Sequence, residues 1–298
     1  MNLTTQRQKI NNEQFFTNLE TAERLCKIVK SQPWFNGRDI TRIIEPSAGD
    51  GAFLDFINVS LAYDIEPKHP DVVKQDFLND PTLILKPMEF GKCLTIGNPP
   101  FGRMGKLAKE FIRKSEKHSD YIAFILPASF AKKSVIRQLP KSLHLIHQTD
   151  LLDETYRFER DGKVVKTVFQ IWEKRTVDRV DPPRTNDHKD FSFVLAKHPP
   201  GTPKTQVSKD PAPMPADFDI CICTHGSAVG RIYSDNFVDK KGIPLSTRTH
   251  RFIKSKIEKD LLVNRLKQLD YKGIAKYTTG ATCVATSEIV DLYTEKFQ

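Results

Sequence analysis

Asn98-Pro99-Pro100-Phe101 sets a polar amide, two rigid prolines and an aromatic ring at the end of an apolar run, Cys93 to Ile96, that reads as a strand. The Asn98 side chain accepts through its carbonyl oxygen and donates through its NH2. Each proline fixes its own φ and removes an N–H, which leaves the backbone carbonyls of Asn98 and Pro99 free to face a ligand. Phe101 offers a flat face on which a base can stack. This set suits a planar exocyclic amine. The lone pair of such an amine is delocalised into a ring, so the nitrogen is a poor nucleophile. Two acceptors on its hydrogens favour the pyramidal, reactive form, most strongly where water is excluded.

The elements that must position this motif are short apolar runs separated by turn signals. Strands are predicted over Ile40 to Ile44, Ser60 to Tyr63, around Val72-Val73, Lys92 to Ile96, Tyr121 to Leu126, Leu143 to His147 and Val164 to Trp172. Helices are predicted over Ala52 to Val59 and Lys106 to Glu116. Tyr121 to Leu126 is almost wholly apolar and is expected at the centre of the sheet. Asp161-Gly162 suggests a hairpin turn between the last two strands. Strands alternating with helices imply a mostly parallel α/β sheet with an antiparallel edge.

Glu45-Pro46-Ser47-Ala48-Gly49-Asp50-Gly51 lies between the first strand and its helix. Its glycines allow the backbone to come close to a ligand, and ligands of doubly wound sheets bind at such crossovers. Asp64 ends the second strand, where a carboxylate can hold both hydroxyls of a ribose. Ile65 beside it is placed to cover an adenine face, and Asp76 ends the third strand, where it could accept from an adenine amine. No Gly-x-x-x-x-Gly-Lys-Ser/Thr loop is present, which disfavours triphosphate hydrolysis. An adenosine-bearing cofactor without a critical phosphate fits better. That points to S-adenosylmethionine, whose sulfonium methyl needs only an acceptor held in line and a dry site.

Ahead of these elements, Phe15-Phe16 precedes Thr17-Asn18-Leu19-Glu20, a capping-box pattern that opens a helix ending near Pro33. The segments Phe15 to Thr17, Glu45 to Phe53, Asp64-Ile65, Asp76-Phe77, Asn98 to Phe101 and Phe124 to Ser129 together resemble the class I N6-adenine methyltransferases. Their order resembles the gamma class of DNA adenine methyltransferases. The likeness covers about the first 175 residues, the size of one domain. It implies a Rossmann-like α/β domain with a mostly parallel seven-stranded sheet. It also implies S-adenosylmethionine bound between Phe16 and Thr17 at its methionine end and Glu45, Pro46, Ala48, Gly49 and Gly51 along its loop. Asp64 and Ile65 would meet its ribose and adenine, with Asp76 and Phe77 beyond. By the same likeness Asn98 and the Pro99 carbonyl grip the target amine, Pro100 stiffens the turn and Phe101 stacks on the flipped base. One departure stands out: the family's first motif often continues Thr-Pro, and here Asn18 replaces the proline.

The remainder of the chain differs in character. Eight of the 19 prolines fall within residues 176–218. Three regions are therefore expected: a catalytic domain over 1–178, a proline-rich linker or arm over 179–218 containing a short strand at Phe191 to Leu195, and a smaller α+β domain over 219–298. In the last region Ile220 to Thr224 reads as a strand and Phe252 to Leu269 as a helix. The stretch Lys241 to Lys276 holds ten Lys or Arg against Glu258, Asp260 and Asp270. Lys254, Lys256, Lys259, Arg265 and Lys267, with Tyr271 and Tyr277 interleaved, suggest a nucleic-acid recognition module. Arg103 and Lys106, with Lys109, could add phosphate contacts beside the flipped base.

The whole chain of 298 residues carries a formal charge of +9, in keeping with a polyanionic partner. DNA is preferred as that partner and RNA, such as ribosomal RNA, is the alternative. A glutamine-N5 methyltransferase and a non-catalytic binding subunit are weaker alternatives. Nothing resembles a secretory signal or a membrane span, so the expected location is the cytoplasm, nucleus or nucleoid. Cys221, Cys223 and His225 would share one face of a strand, but no second ligand pair accompanies them. Core cysteines beside a loop histidine are preferred to a metal site.

Overall fold

The computed structural model describes residues 17–35, 39–79, 91–151, 165–181, 185–200, 202, 205, 210–278 and 281–297. The chain divides into two compact units, Met1–Asp181 and Pro182–Gln298. Among the described residues no helix is long and apolar enough to cross a membrane.

The first unit is built on a seven-stranded sheet in the order β3-β2-β1-β4-β5-β7-β6. Its strands are β1 (Ile40–Glu45), β2 (Leu61–Asp64), β3 (Val73–Lys74), β4 (Lys92–Gly97), β5 (Tyr121–Pro127), β6 (Leu143–Leu151) and β7 (Thr167–Lys174). The first five run parallel. β7 runs antiparallel to both β5 and β6. This is a Rossmann-like arrangement, a mostly parallel seven-stranded sheet with an antiparallel edge pair. Every residue of β5 is buried, which explains its unbroken apolar run. The Asp161-Gly162 turn lies outside the described residues.

Helix α1 (Leu19–Lys30) buries Ala22, Leu25, Cys26 and Val29, one stripe at helical spacing. Its cap is Asn18, not Thr17: the Asn18 Oδ1 accepts from the Thr21 N–H at 2.7 Å. The residue that departs from the family's Thr-Pro pattern is therefore the one that starts the helix, and the Thr17 hydroxyl is released for other use. Helix α2 (Lys106–Glu116) follows β4 and buries Ala108, Phe111 and Ile112.

The helix expected over Ala52 to Val59 is absent. Those residues form successive turns, with Leu54 N–H donating to Gly51 O and Phe56 N–H to Phe53 O. Gly51, at φ +83, begins the run of turns that leads toward β2. The glycine loop consequently has no α-helix N-terminus behind it.

The second unit is an α+β fold on a four-stranded sheet, β10-β9-β11-β8. These are β8 (Phe191–Val194), β9 (Ile220–Cys223), β10 (Ile232–Tyr233) and β11 (His250–Ser255), followed by α4 (Lys259–Lys267), α5 (Tyr271–Ala275) and α6 (Thr286–Phe297), with α3 (Lys133–Ile136) lying earlier in the first unit. Two sequence expectations change here. The span 179–218 is not simply an arm, because β8 pairs with β11 as part of this sheet. Phe252 to Leu269 is not one helix: β11 covers its start, and Glu258 caps a separate helix by accepting from Asp260 and Leu261 N–H groups.

Asp190 anchors this unit. Its Oδ2 accepts from Arg265 at 2.8 Å and from the hydroxyl of the fully buried Tyr293 at 2.8 Å. Asp190→Ala would leave the Tyr293 hydroxyl without its acceptor inside the core, at a cost of roughly 1–3 kcal/mol. Chemical denaturation of the variant should show that loss; an unchanged midpoint would mean the network contributes nothing net.

Candidate active site

Three neighbouring parallel strands, β2, β1 and β4, bring Asp64, Glu45 and Asn98 to one edge of the sheet. Adjacent strands lie about 4.8 Å apart, so three strand ends span about 10 Å. That is the scale of a nucleoside. Parallel topology is what aligns these C-terminal ends, and it assembles motifs that lie far apart in the chain.

Asp64 ties the glycine loop to β2. Its carboxylate accepts from the Gly49 N–H at 2.8 Å and the Glu66 N–H at 2.8 Å, while Ala48 N–H donates to Tyr63 O. Each carboxylate oxygen accepts one of these bonds and has capacity to accept another. Ile65 next to it is 42% exposed, an apolar side chain left at the strand tip. Gly51 is required by shape as well as by φ, since a Cβ there would sit 2.9 Å from the His69 ring. Pro46 and Ala48 are buried in the wall of the loop.

Glu45 is 1% exposed. Its Oε2 has no hydrogen-bond partner among the described residues, and neither has the buried Oγ of nearby Ser47. Burial pushes the Glu45 carboxyl well above the usual carboxylate range, and the charges of Asp50 and Asp64 add to the rise. An orphaned buried acceptor at a ligand-facing strand end fits a ligand that brings a cation and hydrogen-bond donors. The methionine ammonium and ribose hydroxyls of S-adenosylmethionine meet that requirement, with Glu45, Ser47 and Asp64 as the residues that would hold them.

The motif after β4 is joined to the N-terminal segment. Asn98 Nδ2 donates to Thr17 Oγ1 at 3.3 Å, and Thr17 is itself buried. Phe16, expected beside it, lies outside the described residues. Pro99 is buried and Pro100 half-buried. Phe101 is only 7% exposed, so a base reaches its face only after the atoms covering the ring shift. Its carbonyl accepts from Leu107 N–H at 3.1 Å and Ala108 N–H at 3.3 Å, which fixes the motif to the start of α2.

Asp76 and Phe77 are used differently from expectation. Asp76 Oδ1 accepts from the N–H groups of Leu78 and Asn79, holding a turn. Phe77 is a core residue, stacked on Phe111 at 5.5 Å and edge-on to His118. Its ring is unavailable to a ligand, so any contact from this position would be through the backbone. Burial pushes the His118 imidazole down to about 4, with the charges of Arg42, Lys114 and Lys174 assisting. An unfolded histidine, near 6.5, takes up its proton earlier as the pH falls. Stability supplied by the neutral ring is therefore complete above pH 6.5 and is lost as the pH drops toward 4, a change of roughly 2–3 kcal/mol. Denaturation curves across that interval should show a decline that His118→Gln flattens; an equal decline in both proteins would assign it to other groups.

Four of the five cations singled out in the second unit have acidic partners. Lys254 is bonded to Asp217 and Asp219, Lys256 to Asp187 at 2.8 Å, Lys259 to Asp235 at 3.0 Å and Arg265 to Asp190. Lys254 lies on β11 and not on the helix. Lys267 is exposed, and Tyr271 is a core residue whose hydroxyl donates to Leu266 O. In the first unit Arg103 is exposed, as is Lys106, which lies 3.9 Å from Glu110. Cys221 packs with Leu245 and Phe252, and the Cys223 thiol donates to His225 O. Among the described residues no group of three His, Cys, Asp or Glu could hold a metal ion.

No protein-family model matches the chain. No curated protein matches it either. Among solved structures it is similar to the 23S rRNA methyltransferase ErmE, at 14% identity over 57% of this chain and 73% of that one, with a TM-score of 0.37. It is also similar to PH1948 from Pyrococcus horikoshii, provisionally described as an RNA methyltransferase, at 16% identity over 55% and 88% of the two chains and a TM-score of 0.37. A third is Thermoplasma acidophilum 1320, at 15% identity over 59% and 100%, with a TM-score of 0.36.

Proposed function

We propose that this chain transfers a methyl group from S-adenosylmethionine to the N6 amine of adenine in a nucleic acid, with RNA ahead of duplex DNA. The observation that carries the proposal is the convergence of Glu45, Asp64 and Asn98 on adjacent strand ends, with Thr17 bonded to the Asn98 amide. When bound, S-adenosylmethionine supplies an electrophilic methyl carbon. Glu45, Ser47 and Asp64 would hold its methionine and ribose portions. Asn98 Oδ1 and the Pro99 carbonyl accept from the two amine hydrogens and draw electron density back onto N6. Thr17 accepts from the Asn98 NH2, which turns the amide oxygen toward the acceptor side. Transfer would exchange the donor's sulfur–carbon bond for an N6–carbon bond, and the surplus N6 proton would leave to solvent.

The preference for RNA over duplex DNA follows from charge. Extruding a paired adenine costs a few kcal/mol, which phosphate contacts must offset. Lys254, Lys256, Lys259 and Arg265 were the cations expected to make those contacts, and each has an acidic partner within its own unit. An adenine in an RNA loop or bulge is already unpaired and demands less. The test is incubation with methyl-labelled cofactor and total RNA, denatured DNA or duplex DNA, followed by nucleoside analysis. N6-methyladenosine from the RNA arm is the expected product. Label in N6-methyldeoxyadenosine alone would move the substrate to DNA, and label in neither, with cofactor binding intact, would overturn the assignment.

A further inference from the structure

Met104 is 87% exposed, three residues beyond Phe101. It is the one non-glycine among the described residues with a positive φ, at 56°. An unbranched apolar side chain is thus held in water and in a left-handed backbone at once, two unfavourable conditions at a single position. The flanking backbone enforces this. Gly102 and Gly105 have φ of 65° and 68°, and a Cβ at either would lie 2.8 Å from Leu107 or Phe130. At one end of the loop the Phe101 carbonyl is pinned to the start of α2, as described above. Arg103 and Lys106 on either side are exposed cations, Lys106 in a long 3.9 Å contact with Glu110 on its own helix.

We propose that Met104 is a wedge: it enters the base stack at the place the target adenine vacates, while Arg103 and Lys106 hold the adjoining phosphates. A base leaving a stack exposes the apolar faces of its neighbours, and a flexible, polarizable thioether fills such a gap without a demanding shape. The fixed connection to Phe101 sets the distance between the wedge and the acceptor site. This inference rests on the methyl-transfer assignment and adds how the polymer yields its base.

The test compares wild type, Met104→Ala and Met104→Leu on total RNA that is folded with magnesium or heat-melted, and on duplex and melted DNA. The readouts are kcat/KM by nucleoside analysis and cofactor affinity by calorimetry. On whichever folded polymer wild type methylates, Met104→Ala should lower kcat/KM at least tenfold. The loss on the melted form should be threefold or less, and Met104→Leu should restore most of the rate. Cofactor affinity equal in all three proteins shows that the fold and donor site are intact. Equal rates for wild type and Met104→Ala on folded polymer, or equal losses on folded and melted polymer, would overturn the wedge alone. A wild type that methylates no polymer would overturn the methyl-transfer assignment itself.

Discussion

Replacing Asn98 with alanine should lower the methylation rate by roughly 10²- to 10³-fold, the usual cost of losing one preorganised polar group at the reacting centre. Cofactor affinity should change by no more than about threefold, because in the proposed site Asn98 meets the acceptor amine and not the donor. Thr17 reports whether the side chain is oriented as argued. Thr17→Val removes the hydroxyl that the Asn98 Nδ2 meets at 3.3 Å but keeps the shape. Its effect should be smaller, about three- to tenfold and confined to kcat, since Asn98 is left in place but less well aimed. Single-turnover rates and calorimetric affinities separate the two terms. An Asn98→Ala protein that turns over at the parental rate would place the acceptor site elsewhere.

Glu45→Gln should produce opposite changes in stability and in ligand binding. The carboxylate is buried, its Oε2 has no partner among the described residues, and Asp50 and Asp64 repel it. A group whose folded pKa is raised supports folding only while protonated. Its contribution is complete below the unfolded value and disappears as the pH climbs through the folded one. Above the unfolded value the unfolded chain ionises freely while burial and the neighbouring acids oppose ionisation in the folded one, which weakens the ligand-free protein; a neutral amide of the same shape avoids that. The melting temperature without cofactor should rise by about 2–5 °C, from a gain of about 1 kcal/mol. Cofactor affinity should fall about 10- to 100-fold, because the amide cannot answer a cationic ligand group as a carboxylate does. Thermal unfolding and calorimetry at pH 7 and at pH 5 test both halves; the stability gain should shrink at the lower pH. A variant less stable than its parent, or one that binds cofactor equally well, would remove Glu45 from the donor site.

Much of the first unit was legible because its signals are local. β5 declares itself by an unbroken apolar run, and it is buried along its whole length. β1 and β2 each end in an acid directly after apolar residues, and Asn98 follows the last residue of β4, so Glu45, Asp64 and Asn98 are legible from their neighbours in the chain. The misreadings have physical causes. Thr17 and Asn18 are both good helix caps, and only the observed bond from Thr21 N–H to Asn18 Oδ1 separates them. β11 was mistaken for helix because Phe252 and Ile253 are both buried, one in each apolar cluster of its unit. A strand covered on both faces has no alternation to reveal it.

The amino-acid sequence alone determined the chemistry-bearing residue types and most of the apolar runs that become the strands of the first unit. Those depend on side-chain identity and on neighbours a few positions away. Tertiary structure alone decided which of those residues meet and which charges survive. The hydroxyl of Thr17 reaches Asn98 across 81 positions, and Asp190 reaches Arg265 across 75. A count of lysines along a window includes no acid brought to them by folding. Coulomb attraction depends on distance in space, which the order of residues does not specify.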